Sequence, residues 1–122
     1  MNGILYLIPN LLGECSTEKV LPSFNTNVIN NIKHFIVEDI RTTRRFLKKV
    51  NKSIDIDQLT FFELNQHTDL QNISYYIEPL LNGNDVGIIS EAGCPAVADP
   101  GALIVELVQQ KDIKVVPLVG PS

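Results

Sequence analysis

Short apolar runs alternate with helical patterns along the whole chain, and this alternation limits the possible fold more than any other feature. Five runs have the length of buried strands, at residues 3–8, 33–37, 59–64, 85–89 and 114–117. Between them, apolar residues recur with helical spacing, and the connections are short. Strands that alternate with helices form an open parallel sheet with helices on both faces and right-handed crossovers. The sequence therefore predicts an α/β fold with an open five-stranded parallel sheet.

Start and stop signals place the helices between these runs. Asn25 or Thr26 is predicted to cap the first helix, and a second helix is expected over residues 40–50. Thr68 and Gln71 have the spacing of a capping box for a third helix, which Pro79 should bend or shorten and Gly83 should end. A fourth helix is predicted over residues 100–110.

Composition narrows the class of protein. A chain of 122 residues with 44% hydrophobic and 20% charged residues has the size and balance of one globular domain. It contains no apolar run of the roughly 20 residues that a membrane helix needs, and no signal peptide, so a cytoplasmic protein with no membrane partner is expected. Cys15 and Cys94 have no metal-binding spacing, and no metal site is predicted. Because the last strand runs into a fresh loop at Gly120, we expect an N-terminal fragment of a longer protein.

Polar and small residues follow the predicted strands at the ends where ligands bind in open parallel sheets. These stretches are Pro9-Asn10, Glu38-Asp39, Asn65 to Thr68, Ser90 to Gly101, and Gly120-Pro121-Ser122. Turns at the opposite edge contain only turn-forming and solvating residues. This segregation predicts a binding cleft at one edge, although helix caps also favour Asp, Asn and Thr.

The stretch Ser90-Glu91-Ala92-Gly93-Cys94-Pro95-Ala96-Val97-Ala98-Asp99-Pro100-Gly101 is the most unusual of these loops. Its small residues allow the backbone to approach a ligand closely, while the alternative is a tight turn that needs glycine and proline for its own geometry. No Gly-x-Gly-x-x-Gly or Walker pattern is present, so a standard dinucleotide or NTP site is disfavoured. The carboxylates of Glu38, Asp39, Glu91 and Asp99 make the predicted cleft acidic, or else they cap helices and stiffen loops.

Basic residues are concentrated on one predicted helix. Six of the ten lysines and arginines fall between Arg41 and Lys52, although the chain carries a net charge of −4. On the predicted helix, Ile40, Thr43, Leu47 and Val50 share one side, and the basic residues lie on the other. This face could bind phosphates through Arg41, Arg44 and Arg45, or it could be an ordinary solvated helix surface.

Three stretches together resemble the tetrapyrrole methylase superfamily. They are Ser90 to Gly101, Val116-Pro117-Leu118-Val119-Gly120-Pro121-Ser122 and Val37-Glu38-Asp39-Ile40-Arg41-Thr42-Thr43-Arg44-Arg45-Phe46-Leu47. Within that superfamily, the third stretch is most similar to the branch that 2′-O-methylates a cytidine of small-subunit ribosomal RNA. The resemblance covers nearly the whole chain, with the motifs in the right order.

The resemblance implies an S-adenosylmethionine-dependent methyltransferase of two α/β domains, usually dimeric, with the cofactor between the domains. Residues 1–122 would be the N-terminal domain, and the C-terminal domain is absent from this chain. The cofactor contacts implied by the family map onto Pro9, Ser90, Glu91, Ala92, Gly93, Pro95, Gly120, Pro121 and Ser122. Ribosomal RNA would be the partner, bound in part by Arg41, Arg44 and Arg45.

Catalysis by such an enzyme rests mainly on holding the methyl donor and the acceptor in line. If the acceptor is a ribose hydroxyl, a base helps to remove its proton, and Glu38, Glu91 and His67 are candidates by residue type, with a structural role as the alternative for His67. Two other functions stay open. A tetrapyrrole or other small-molecule methyltransferase would suit the acidic net charge. A non-catalytic nucleotide-binding module would suit the loop after strand one, Ile8-Pro9-Asn10-Leu11-Leu12-Gly13, which only loosely resembles the family's Thr-Pro-Ile-Gly-Asn pattern.

Overall fold

The computed structural model describes residues 1–9, 23–65, 67–90 and 101–118. The strands are β1 (Leu5–Pro9), β2 (His34–Val37), β3 (Thr60–Glu63), β4 (Val86–Ser90) and β5 (Val115–Pro117). The α-helices are α1 (Ser23–Asn30), α2 (Ile40–Val50), α3 (Glu78–Leu81) and α4 (Gly101–Gln110), and 3₁₀ helices span Ile56–Gln58 and Leu70–Ile77. Each predicted strand is therefore present within a residue or two of its expected bounds.

All five strands form one parallel sheet with the order β3-β2-β4-β1-β5. The fourth strand of the chain is thus the central strand of the sheet, with β2 on one side and β1 on the other. This architecture confirms the predicted open five-stranded parallel sheet.

Helices cover both faces of the sheet, as predicted. Successive strand residues point to opposite faces, so that Leu5 and Leu7 join one hydrophobic cluster while Tyr6 and Ile8 join the other. The 3₁₀ helix Leu70–Ile77, α3 and α4 contribute to the first cluster, whereas α1 and α2 contribute to the second. Strands covered on both sides must be apolar throughout, which explains the unbroken apolar runs in the sequence.

The placement of the helices follows from the directions of the crossovers. The connections from β1 to β2 and from β2 to β3 run towards one edge of the sheet and carry α1 and α2 on one face. The connections from β3 to β4 and from β4 to β5 run back towards the other edge, with their helices on the opposite face. Crossovers that reverse direction and change face keep the same hand, which is the behaviour expected for right-twisted strands.

The third helical segment differs from the prediction. It begins as a 3₁₀ helix whose cap is Asp69, with Oδ1 accepting from the Gln71 backbone N–H at 3.0 Å, so the predicted Thr68–Gln71 capping box is wrong. Thr68 instead takes part in the turn before this helix, where its hydroxyl accepts from the Asn65 backbone N–H at 2.9 Å. Pro79 lies in the first turn of α3, where its missing N–H is tolerated, and the 3₁₀ segment ends just before it. Gly83 follows with a φ of 89°, as expected for the residue that ends a helix.

One further expectation needs correction. Helix α1 begins at Ser23, which places Asn25 and Thr26 inside the helix and not at its cap. The predicted fourth helix is present as α4, with Ile104 and Val108 fully buried and Leu103 42% exposed.

Candidate functional site

The strand ends that lead into the predicted cofactor loops lie side by side. In the β1–β4 ladder, Pro9 pairs with Ser90, so these two strands end level. In the β2–β4 ladder, Val37 pairs with Ile89, which puts Glu38 immediately beyond the last pair. Segments 91–100 and 119–122 lie outside the described residues, as does Gln66. The entry points of the loops nevertheless lie at one edge, because all five strands are parallel.

A crevice is expected where neighbouring strands send their connections in opposite directions. The connection after β2 runs outward to the edge strand β3, whereas the connection after β4 runs the other way, past β1 to β5. The crevice is therefore expected at the boundary between β2 and β4, which we call the central divide. Glu38 follows the β2 side of the central divide, and Ser90 ends the β4 side. The central divide of the sheet therefore lies between a carboxylate and the beginning of the small-residue stretch.

The two neighbouring acids at this edge have different roles. Asp39 caps α2, since its Oδ2 accepts from the Thr42 backbone N–H at 3.0 Å and from the Thr42 hydroxyl. These hydrogen bonds, with a smaller contribution from the charge of Arg41, hold the pKa of Asp39 below its ordinary value of 3.8. Glu38 takes part in the hydrogen bonds of the described residues only through its backbone carbonyl, and its side chain is half-buried. The structural alternative therefore applies to Asp39, whereas no hydrogen bond among the described residues uses the Glu38 carboxylate.

Asn65 joins the loop after β3 to the end of β2. Its Nδ2 donates to the Glu38 carbonyl oxygen at 3.2 Å, and its Oδ1 accepts from the His67 backbone N–H at 2.9 Å. Its own backbone N–H donates to the Thr68 hydroxyl at 2.9 Å. Sequence reasoning placed Asn65 at this edge but missed its link to Glu38, because the contact joins residues 27 apart.

His67 lies at the same edge as Glu38 but farther from the central divide. It follows β3, which is the edge strand, and β2 separates that strand from β4. Its side chain is exposed, so the predicted alternative of a buried structural histidine is wrong. Among the candidate bases in the described residues, Glu38 is therefore nearer to the divide. Glu91, the third candidate, lies outside the described residues.

The basic face of α2 begins at this edge, because the helix starts at Ile40 directly after its Asp39 cap. Arg41, Arg44 and Arg45 are all exposed, and the helix itself contains no acidic residue. Thr43, Phe46 and Leu47 form its buried side, and Phe46 is a core residue that the sequence pattern missed. At 1.5 Å per residue the helix is about 16 Å long, so its positive charge extends away from the edge over that length.

Two shallow cavities in the described residues lie away from this edge. One, of about 190 Å³, lies at the opposite ends of the strands and is lined in part by His34, Thr60, Glu78 and Asn82. The other, of about 210 Å³, lies between Ile73, Leu103 and Leu107 on the outer surface of the helices. Within the described ranges there is no group of three or more His, Cys, Asp or Glu residues placed to hold a metal ion. No helix there is long and apolar enough to cross a membrane.

The strand order and the parallel pairing define an open α/β protein with polar residues at the carboxyl ends of its strands. No protein-family model matches the chain. The chain is 32% identical over 120 residues to the ribosomal RNA small subunit methyltransferase I of Vibrio cholerae. The aligned region covers 97% of this chain and 38% of that protein.

Relatives of the same name extend this likeness. The chain is 30% identical over 122 residues to the protein of Pasteurella multocida and 31% identical over 121 residues to that of a Streptococcus pyogenes serotype M6 strain. It spans 40% and 39% of the length of those two proteins. The chain is thus homologous, over nearly its whole length, to part of ribosomal RNA small subunit methyltransferase I, which confirms the predicted resemblance.

Proposed function

We propose that this chain is the N-terminal domain of a two-domain S-adenosylmethionine-dependent methyltransferase that 2′-O-methylates ribosomal RNA. The single observation that carries the proposal is the alignment of strand ends at the central divide, where Pro9 and Ser90 are paired and Glu38 follows the neighbouring strand. The homology to proteins named as ribosomal RNA methyltransferases supports the choice of substrate. An enzyme with this substrate works in the cytoplasm, and we carry over a homodimer from the same resemblance.

The cofactor would be held by backbone groups and small residues at this edge. The contacts we propose are Pro9, Ser90, Glu91, Ala92, Gly93, Pro95, Gly120, Pro121 and Ser122. S-adenosylmethionine supplies a methyl group on a positively charged sulfur, and small residues allow main-chain oxygens to approach such a centre. The level ends of β1 and β4 support this assignment, since they deliver two of the three contact segments to neighbouring points.

Within the domain, Glu38 is our first choice for the base that accepts the ribose 2′-hydroxyl proton. Proton transfer to a positioned carboxylate typically contributes about 10²-fold or more to a rate. The side chain is half-buried at the central divide, and the helix cap beside it is supplied by Asp39. Glu91 and His67 are the other candidates, and His67 follows the more distant edge strand.

RNA would approach along the basic face of α2. Arg41 lies in the first turn of the helix, next to the proposed methyl-transfer site, and Arg44 and Arg45 follow one turn later. Exposed arginines bind phosphate groups whatever the base sequence, so this face would hold the RNA backbone and leave recognition of the target base to other parts of the protein.

The proposal is tested with the full-length protein and radiolabelled S-adenosylmethionine. Small ribosomal subunits from a strain that lacks the enzyme are the substrate, and subunits from the parent strain are the control. We expect labelling of the first and not the second, with the label on a ribose. Absence of transfer to ribosomal RNA would contradict the proposal. Turnover of a porphyrin precursor would then select the small-molecule alternative, and cofactor binding without transfer to either would select the non-catalytic module.

A further inference from the structure

Hydrogen bonds of the described residues hold the backbone at Glu38 and at the residue that follows it. On one side, the Glu38 carbonyl oxygen accepts from Asn65 Nδ2 at 3.2 Å. On the other, the carbonyl oxygen of Asp39 accepts from the Thr43 backbone N–H at 3.1 Å and from the Thr43 hydroxyl at 2.9 Å. The second restraint belongs to the helix cap. The first comes from a side chain on another strand's loop and has no role in forming α2.

The position of Asn65 is itself determined by several contacts. The preceding Leu64 N–H donates to the Val37 carbonyl at 2.7 Å, which extends the β2–β3 hydrogen bonds one residue beyond the last strand pair. The turn after it is closed by the His67 N–H donating to Asn65 Oδ1 and by the Thr68 N–H donating to the Asn65 carbonyl at 3.1 Å. Asn65 is half-buried, and its hydrogen bonds to Glu38 and His67 hold its amide where the strand ends.

We propose that Asn65 is a positioning residue that holds Glu38 at the central divide for proton transfer. This inference rests on the proposed function. Both chemical groups of the Asn65 amide are used, because Oδ1 shapes the local turn and Nδ2 reaches Glu38. A reacting carboxylate must be held within a fraction of an ångström of its productive position, and that precision comes from supporting hydrogen bonds. Asn65 provides this support from the loop after the edge strand, independently of the cofactor.

The two groups of the amide can be separated by substitution. Asn65→Asp keeps the oxygen that accepts from the His67 N–H but loses the donor to Glu38. Thr68→Val is the matched control in the same turn, since it removes the acceptor for the Asn65 N–H and leaves the Nδ2 contact intact. Each variant is made in the full-length protein, alone and together with Glu38→Gln, and kcat and KM for small ribosomal subunits are measured alongside the unfolding temperature.

We expect Asn65→Asp to lower kcat about 10-fold or more with little change in KM, because misplacement of a reacting group acts on the chemical step. In the Glu38→Gln background, the same change should lower kcat less than about threefold, because a residue that acts through Glu38 has nothing left to position. Thr68→Val should lower the unfolding temperature without this loss of kcat.

Several results would overturn the inference. They are a wild-type kcat in Asn65→Asp or in Glu38→Gln, an equal loss from Asn65→Asp in both backgrounds, and a loss of kcat in Thr68→Val as large as that in Asn65→Asp. A wild-type protein that does not methylate ribosomal RNA would instead refute the proposed function, and this inference with it.

Discussion

The guanidinium carbon of Arg44 lies 5.9 Å from the centre of the Phe61 ring on the edge strand. This distance is within the range of a cation–π contact. The Phe61 ring in turn stacks on Phe35, a buried residue of β2, with 6.0 Å between ring centres. Arg44 therefore helps to fix α2 on the sheet, which distinguishes it from Arg41 and Arg45 on the same basic face.

Replacing Arg44 should lower stability through this contact. We expect Arg44→Ala to reduce the free energy of unfolding by about 0.5–1 kcal/mol, the range for an exposed cation–π pair. Urea unfolding of the domain measures the change. In a Phe61→Leu background the loss should shrink, because the ring that Arg44 contacts is gone. Equal losses in both backgrounds would show that Arg44 acts by another route.

Arg41 and Arg45 should affect RNA binding more than stability. If each contacts one phosphate of single-stranded RNA, Arg41→Ala and Arg45→Ala should each reduce the slope of log K against log salt by about 0.7. The measurement is fluorescence anisotropy of the full-length protein with a labelled fragment of small-subunit RNA, over a series of salt concentrations. Lys111→Ala provides the control, since it removes an exposed cation just after α4. An unchanged slope in both arginine variants would count against the basic face as an RNA surface.

The cap of α2 should respond to acid. The pKa of Asp39 is lowered in the folded state, chiefly by the hydrogen bonds from Thr42, so its charged form stabilises the fold. That contribution is complete above the ordinary value of 3.8 and disappears as the pH falls through the lower pKa of the folded state. Asp39→Asn keeps a capping oxygen without a titrating charge.

The stability difference between wild type and Asp39→Asn should therefore shrink as the pH is lowered from about 5 towards 2. Thermal unfolding followed by circular dichroism measures it, and Asp57→Asn provides a control for the loss of an exposed carboxylate elsewhere. A difference that is constant with pH would show that the charge of Asp39 contributes nothing to the cap.

Gly3 should not tolerate a side chain. A Cβ atom at this position would lie 1.9 Å from the Asn84 carbonyl oxygen, and the Gly3 N–H already donates to the Leu80 carbonyl at 2.8 Å. Since the obstacle is backbone, Gly3→Ala should lower the free energy of unfolding by about 2–3 kcal/mol. Gly87→Ala is the comparison, because its Cβ would chiefly meet the Ile8 Cδ1 atom at 2.6 Å, which is the movable end of a side chain. A smaller loss for Gly3→Ala than for Gly87→Ala would contradict this account.

The sequence predicted the bounds of an element best where its apolar residues recurred with a clear helical period. The bounds of α2 agree with the prediction because its apolar and basic faces are cleanly separated. The start of the third helical segment was harder to predict, since Thr68 and Asp69 are both residue types that often cap helices. In the folded turn the Thr68 hydroxyl accepts from the Asn65 N–H and the Asp69 carboxylate accepts from the Gln71 N–H, and no spacing in the sequence reveals which of the two residues takes the cap.

Prediction of the candidate site succeeded at the level of strand ends and failed at the level of individual side chains. The rule for parallel sheets places Glu38, Asn65 and Ser90 at one edge, because each of them follows a strand that runs in the same direction. It cannot tell which of two adjacent acids caps α2, because both Glu38 and Asp39 precede the helix. Nor can it find the bond from Asn65 to Glu38, which forms only once β3 lies beside β2.

The central position of β4 also determines the order in which the sheet can be assembled. The first strand pairs only with β4 and β5, and the bond from the Ile4 N–H to Asp85 closes a separation of 81 residues. The second and third strands are neighbours and can pair early, whereas β1 must wait, apolar and without a sheet partner, until the later part of the chain has been synthesised. Such long-range closure slows folding. The N-terminal strand is consequently the segment of this domain that depends most on protection from aggregation while the ribosome is still at work.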